Sequence, residues 1–159
     1  MLAQAFAEGA RQRCNVRTLS VADLHVTPCR GCNACFANGK RCVQNDDMQQ
    51  VYAALADCDL LVIASPVYFY GISAQLAAVI HRLHNPLRDT FHIRQAVLLL
   101  AAASSKPHVV EPIKLQYSLL LKNFDIEDCG MVLAQGVKDP GDIRQTDYLN
   151  QARQLGSTL

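Results

Sequence analysis

The densest chemistry lies in "PCRGCNACFANGKRC", residues 28 to 42, where four of the chain's seven cysteines follow the spacing C-x2-C-x2-C-x6-C. Cys29, Cys32 and Cys35 stand at i, i+3 and i+6 of an irregular stretch and can converge on one metal centre, with Gly31 and Gly39 supplying backbone freedom. Ferredoxin-type [4Fe-4S] sites use those first three spacings, and the fourth ligand is free to come from farther away. Structural zinc fits less well, because its usual pattern is two separate pairs. A thiol switch is a further reading: Lys40 and Arg41 stand beside Cys42, and positive charge favours thiolate chemistry. The bland reading is a surface loop of free thiols. Cys14, Cys58 and Cys129 fall on or beside expected core elements and read as small buried hydrophobes.

A second constellation is "SPVYFYG", residues 65 to 71, which places three successive aromatics between a proline and a glycine. Pro66 disfavours a helical Ser65 and keeps the chain extended, and Gly71 is expected to let it turn sharply. Tyr68, Phe69 and Tyr70 cannot all enter a core from so short a loop. Their ring surface is expected at a rim, against either a flat ligand or a neighbouring subunit.

The elements that must position these groups read as alternating α and β. "DLLVIAS" (59 to 65) and "AVLLLAAA" (96 to 103) are continuously apolar, as strands buried on both faces of a parallel sheet are, so both are expected to be central. Between them Leu76, Ile80 and Leu83 predict one apolar helix side. Met48, Val51, Tyr52 and Leu55 predict another helix after a cap at Asp46; Ile113, Tyr117, Leu120, Leu121 and Phe124 predict a third after Pro112. "CGMVLAQ" (129 to 135) reads as a strand, "DYLNQARQL" (147 to 155) as a closing helix, and "MLAQAFAEGARQR" as an amphipathic opening helix. "NVRTLS" (15 to 20) reads as a weak edge strand. The sum implies a doubly wound sheet, whose ligands lie beyond the carboxyl ends of the strands.

The whole chain, 1–159, is expected to be one domain. Fifteen basic and fourteen acidic residues, without blocks, give no footprint for nucleic acid or an anionic membrane. No apolar run approaches the roughly 18 residues of a membrane span, and the start lacks the zones of a secretory signal. A cytoplasmic protein with reduced thiols is the expectation.

"CDLLVIASPVYFYGISAQLAAVIHR" resembles the flavin-binding segment of the flavodoxin-like NAD(P)H-dependent FMN reductases. "PCRGCNACFANGKRCVQNDDM" is similar to the cysteine-bearing segment of the branch that includes the iron-sulfur flavoproteins. The likeness runs from about Val16 to the C-terminus and takes in "AVLLLAAASS" and "GDIRQTDYLNQARQLG". It implies a flavodoxin-like, three-layer α/β/α sheet with FMN at its carboxyl edge. Ser65, Pro66, Val67, Tyr68, Phe69, Tyr70 and Gly71 would contact the isoalloxazine, largely through backbone groups, and Ala103, Ser104 and Ser105 would approach its other edge. By the same resemblance Cys29, Cys32, Cys35 and Cys42 are the ligands of a [4Fe-4S] cluster. NAD(P)H would be the electron donor and a small molecule or protein the acceptor. No side chain need act as a catalytic acid or nucleophile, because the cofactor carries the chemistry. The hydroxyls of Tyr68 and Tyr70 could tune the flavin or serve only as structural hydrogen-bond partners.

The sequence departs from the family at its start, where a hydrophobic strand and a Gly/Ser/Thr-rich phosphate loop are the norm. Neither is seen, so a truncated or wrongly started N-terminus is expected, with a gap in the sheet between "NVRTLS" and "DLLVIAS". Exposed aromatics and an interrupted sheet both need cover, so a homodimer or homotetramer is expected. The competing reading is an FMN-free remnant acting as a subunit or thiol-based redox sensor. A flavodoxin-like electron carrier is disfavoured, because such carriers are strongly acidic. His81, Arg82 and His84 read as basic groups at a helix end, in a dipole or surface role; His81 stands where the family shows an acid. Asp46 and Asp47 read as a helix cap.

Overall fold

A computed structural model describes all residues, 1–159. The chain divides into two compact units: one of Met1–Arg17, Leu60–Ile72 and Arg94–Leu159, the other of Thr18–Asp59 and Ser73–Ile93.

The first unit is built on three parallel strands, β1 (Leu60–Pro66), β2 (Gln95–Ala102) and β3 (Glu127–Gln135), in the order β1-β2-β3. β2 has the composition of a central strand and is one: Ala96, Val97, Leu98, Leu99 and Leu100 are all buried. β1 reads much the same in sequence yet lies at the sheet's edge, with Ala64 and Pro66 exposed. Pro66 has no N–H to offer a further strand, which suits an edge position. The expected strand at 15–20 does not form. Its Asn15, Arg17, Thr18 and Ser20 give no apolar alternation, and only Val16 of this stretch packs against the core.

Helices α1 (Leu2–Ala10) and α6 (Tyr148–Ser157) pack together over one face of this sheet. Leu2, Ala5, Phe6 and Ala10 of α1 and Ala152 of α6 share a core with Val97, Leu99, Val132 and Ala134. The two helices meet backbone to backbone at Gly9 and Gly156: a Cβ on Gly156 would stand 2.3 Å from the Phe6 carbonyl oxygen, and one on Gly9 2.0 Å from that of Arg153. Helix α5 (Glu111–Phe124) packs on β3 through the expected stripe, with Ile113, Tyr117 and Leu121 buried. Burial, reinforced by the charge of Asp128, pushes the Tyr117 phenol above its ordinary value, and its hydroxyl donates to Asp128 Oδ1 at 3.3 Å.

The second unit contains α2 (Ala34–Ala37), α3 (Met48–Ala56) and α4 (Ala74–Arg82). In α3 the predicted residues Met48, Val51, Tyr52 and Leu55 are all buried. In α4 the buried face is displaced from prediction: Ala78, Val79 and Arg82 are buried, while Leu76, Ile80 and Leu83 are half-buried. That face includes Arg82, an arginine that the fold neutralises instead of exposing. No helix of the chain is long and apolar enough to cross a membrane.

Candidate functional site

The aromatic segment leaves β1 through a tight reversal. Val67 N–H donates to Ala101 O of β2 at 2.8 Å, and Tyr68 and Gly71 then exchange two backbone hydrogen bonds, at 2.8 and 3.0 Å. The tip residues Phe69 and Tyr70 have φ of 47° and 68°. Positive φ at both central positions is the hallmark of hairpin turns that normally recruit Gly or Asn. Bulky aromatics there cost on the order of 1–3 kcal/mol each, and such strain gathers at functional sites. The flexible-glycine expectation for Gly71 is therefore corrected. Its φ is not positive, and an added Cβ would only touch the Tyr68 oxygen at 3.6 Å.

As expected, the rings stay out of the core: Phe69 is 98% exposed, Tyr68 65% and Tyr70 45%. Phe69 and Tyr70 meet edge to face at 5.7 Å, and Tyr70 stacks on His108 at 6.1 Å with the planes 24° apart. Beyond the carboxyl ends of β1 and β2 these rings border a cavity of about 330 Å³, lined also by Val67, Ala102, Ala103, Ser104, Lys106 and Val109. The structure thus brings Val67, Phe69, Tyr70, Ala103 and Ser104 together, and adds Lys106 and His108, which sequence reasoning did not single out. Ser65 and Pro66 instead line an apolar hollow of about 240 Å³ with Leu2, Ala64, Leu99 and Ala101. Ser65 is buried, its hydroxyl donating to the Pro66 carbonyl at 2.8 Å, and Ser105 is exposed. A flat ring system suits the first cavity: its walls are aromatic and aliphatic, and the turn's tip leaves the polar backbone groups of Phe69 and Tyr70 outside the Tyr68–Gly71 pairing.

The cysteine segment is organised differently. Gly31, Asn33, Gly39 and Lys40 all adopt positive φ, so the backbone does use the freedom expected of its glycines. Cys29 and Cys32 are exposed, and Cys35 and Cys42 partly buried. The sulfur of Cys29 accepts from Gly31 N–H at 3.4 Å and that of Cys42 from Gln44 N–H at 3.5 Å. No three His, Cys, Asp or Glu side chains of the chain come together as a metal-holding group. The four thiols as arranged therefore do not fit a cluster. Cys14, Cys58 and Cys129 are partly buried, and burial, then nearby carboxylates, pushes the Cys58 and Cys129 thiols up, as befits inert sulfur.

What the structure does build beside these thiols is a clasp that sequence reasoning missed. Arg82 Nη1 donates to Asp46 Oδ2 at 2.7 Å and to Thr27 O at 2.8 Å, while Nη2 donates to Asp46 Oδ1 at 3.2 Å. Thr27 N–H donates to Asp46 Oδ2 at 3.0 Å, and Gln44 Nε2 to Pro28 O at 3.2 Å. One guanidinium thereby ties residue 27 to residue 46, closing the neck of the stretch that carries all four cysteines. The two charged side chains are only 2% and 4% exposed, which corrects the surface role expected for Arg82. The N-cap of α3 is Asp47, without a side-chain capping bond, which corrects the cap expected at Asp46; from one residue earlier Asp46 receives Met48 N–H on its Oδ1 at 3.2 Å. Burial alone would raise its carboxyl, but Arg82 and the N–H groups of Thr27 and Met48 outweigh that and hold it below the usual carboxylate value. His81 and His84 stay at the surface as expected. His84 Nε2 lies 3.1 Å from Asn33 Oδ1 and its ring 5.4 Å from Phe36, a second hold on the segment.

Comparison with known proteins agrees with the geometry. Residues 1–121 match the family model described as NADPH-dependent FMN reductase. An iron-sulfur flavoprotein of Archaeoglobus fulgidus is 30% identical, the match covering 100% of this chain and 70% of that protein. One from Methanocaldococcus jannaschii is 32% identical over 89% of this chain and 77% of its own. In fold, the chain is similar to an FMN-dependent NADH-azoreductase from Bacillus anthracis, with a TM-score of 0.69, 14% identity and coverage of 99% of this chain and 89% of the other. The flavodoxin-like α/β fold follows, and the chain is an oxidoreductase belonging to the NADPH-dependent FMN reductase family.

Proposed function

We propose that the chain is an FMN-dependent NAD(P)H oxidoreductase whose flavin ring lies in the cavity beyond β1 and β2. The observation that carries this reading is the strained aromatic turn at the cavity's mouth, in a member of a flavin reductase family. When bound, FMN supplies the electron-accepting ring. The protein's part is to hold that ring against Val67, Phe69, Tyr70, Ala103 and Ser104 and to leave one face open to a nicotinamide or an acceptor. A small quinone or a protein redox partner suits such an open site. Adding FMN to the purified protein should quench flavin fluorescence to saturation and enable NAD(P)H oxidation by a quinone. Unquenched fluorescence at high protein concentration would sink the reading.

A second reading concerns the thiols, and two observations favour it: the C-x2-C-x2-C-x6-C spacing and the iron-sulfur flavoproteins among the relatives. Cys29, Cys32, Cys35 and Cys42 would then hold a [4Fe-4S] cluster only after the loop rearranges, since as arranged they do not converge. Iron and sulfide analysis of protein purified without air checks it. A protein free of both iron and sulfide leaves the thiol-sensor alternative.

A further inference from the structure

Resting on the FMN reading above, we propose that Lys106 makes the cavity bind the reduced, anionic flavin ring more tightly than the oxidised, neutral one, so that the protein raises the reduction potential of its flavin. The lining of the cavity includes Lys106, His108 and Ser104 and no carboxylate. Lys106, like most of the chain's cations, is in no ion pair, so its charge is not committed to a protein carboxylate. Glu111, the acid nearest to it along the chain, is already engaged by Lys114 at 2.8 Å. The backbone that carries Lys106 is fixed: its N–H donates to Ser104 Oγ at 3.2 Å and its C=O accepts from Gln135 Nε2 at 2.9 Å. The lining's one Lys or Arg, an exposed side chain on a fixed backbone, thus stands at the rim of a space walled in part by rings.

Reduction makes that charge matter. A flavin that accepts a hydride from NAD(P)H gains two electrons and one proton, leaving NAD(P)+ and a ring with a net negative charge. The oxidised ring has no net charge to attract. Whatever the ring's orientation in the cavity, a nearby cation stabilises the product of this step over its reactant, and it does so more strongly beside low-dielectric walls than in open water. The stacked Tyr70–His108 pair holds one wall in place next to it.

The test compares the wild type with Lys106→Gln and Lys106→Arg in mildly alkaline buffer. The dissociation constant for oxidised FMN is read from fluorescence quenching, and the midpoint potential from anaerobic reduction in equilibrium with a reference dye. Lys106→Gln should cut the preference for reduced over oxidised flavin by about 5- to 10-fold. Tenfold corresponds to ~30 mV for a two-electron couple. Lys106→Arg should restore the potential, and the gap between wild type and Lys106→Gln should narrow as salt is raised. Equal potentials in wild type and Lys106→Gln, or a fall that Lys106→Arg does not restore, overturn this proposal alone. Absence of FMN binding overturns both this proposal and the flavin reading on which it rests.

Discussion

The two loops that carry this protein's chemistry are held in opposite ways. The aromatic turn is short and fixed locally: strand ends grip it through backbone hydrogen bonds, and the strain falls on its own tip residues, Phe69 and Tyr70. The cysteine loop is long and fixed remotely. Its ends are tied by the side chain of Arg82, far away in sequence, and its middle is met by His84 through Asn33 and Phe36. A loop of the first kind presents a preformed surface. A loop of the second kind has its ends held in register by a side chain remote in sequence, while the stretch between them is shaped by its short helix α2, its local hydrogen bonds and four positive-φ residues. That is what a segment needs if its ligands gather only around a metal centre, and equally what a thiol switch needs.

The sharpest way to break the contrast is to open the clasp. Arg82→Ala leaves the Asp46 carboxylate buried without its partner, and removing one member of a buried pair typically costs about 3–5 kcal/mol. Urea unfolding should show that loss, and limited proteolysis should begin cutting within residues 28–45. If Arg82 merely filled space, Arg82→Met would match the wild type; the clasp instead predicts that Arg82→Met is as damaging as Arg82→Ala. Pairing Arg82→Met with Asp46→Leu should recover part of the loss, because neither charge is then stranded.

The corresponding weak point in the unit that carries the aromatic turn is a packing contact between α1 and α6. Gly156→Ala would force α1 and α6 apart, because the new methyl group would overlap the Phe6 carbonyl. Overpacking against backbone should cost about 1–3 kcal/mol, read as a lower melting temperature. An unchanged melting temperature would mean that the two helices slide freely past each other.

These two substitutions also mark where the sequence stops being readable. The apolar runs of β1 and β2, the stripes of α3 and α5 and the exposure of the three rings were all legible, because each follows from local period and composition. The edge position of β1 was not, since a strand's neighbours are a property of the sheet and not of the strand. Nor was Gly9 against Gly156, a contact between the two ends of the chain. The clasp was hidden for a similar reason. At the end of a helix an arginine looks like a surface group, and nothing local reveals that a carboxylate from another segment will bury it. The cysteine spacing suggested convergence, but spacing sets only which thiols can meet, whereas the backbone between them decides whether they do. Lys106 and His108 escaped notice because a lone cation gains meaning only from the cavity it lines.

Acid provides a gentler probe of the clasp. The Asp46 carboxyl is held below its ordinary value of 3.8 in the folded protein, so its contribution to stability is complete above that value and is lost as pH falls through the lower folded value. The wild type should therefore lose stability on acidification below about pH 4, and Asp46→Asn should lack that component while being less stable at neutral pH. Denaturant unfolding across the acid range measures both. Parallel acid limbs in the two proteins would show that Asp46 is not the group responsible.

The smallest effect is expected at the turn's tip, where it has the opposite sign. Phe69 is almost fully exposed, so replacing it with glycine removes no buried surface, while a φ of 47° costs glycine nothing. Relief of strain is offset by the greater freedom of glycine in the unfolded chain, leaving Phe69→Gly neutral or stabilising by up to about 1 kcal/mol. If the ring were there for stability, the substitution would destabilise. A gain in stability accompanied by weaker FMN binding would mean that the turn holds an unfavourable conformation for the sake of the ring it presents, as the flavin reading requires. No truncation of a thiol in the cysteine loop should show that pairing of effects, because the strain in that loop lies in Asn33 and Lys40 and not in the cysteines themselves.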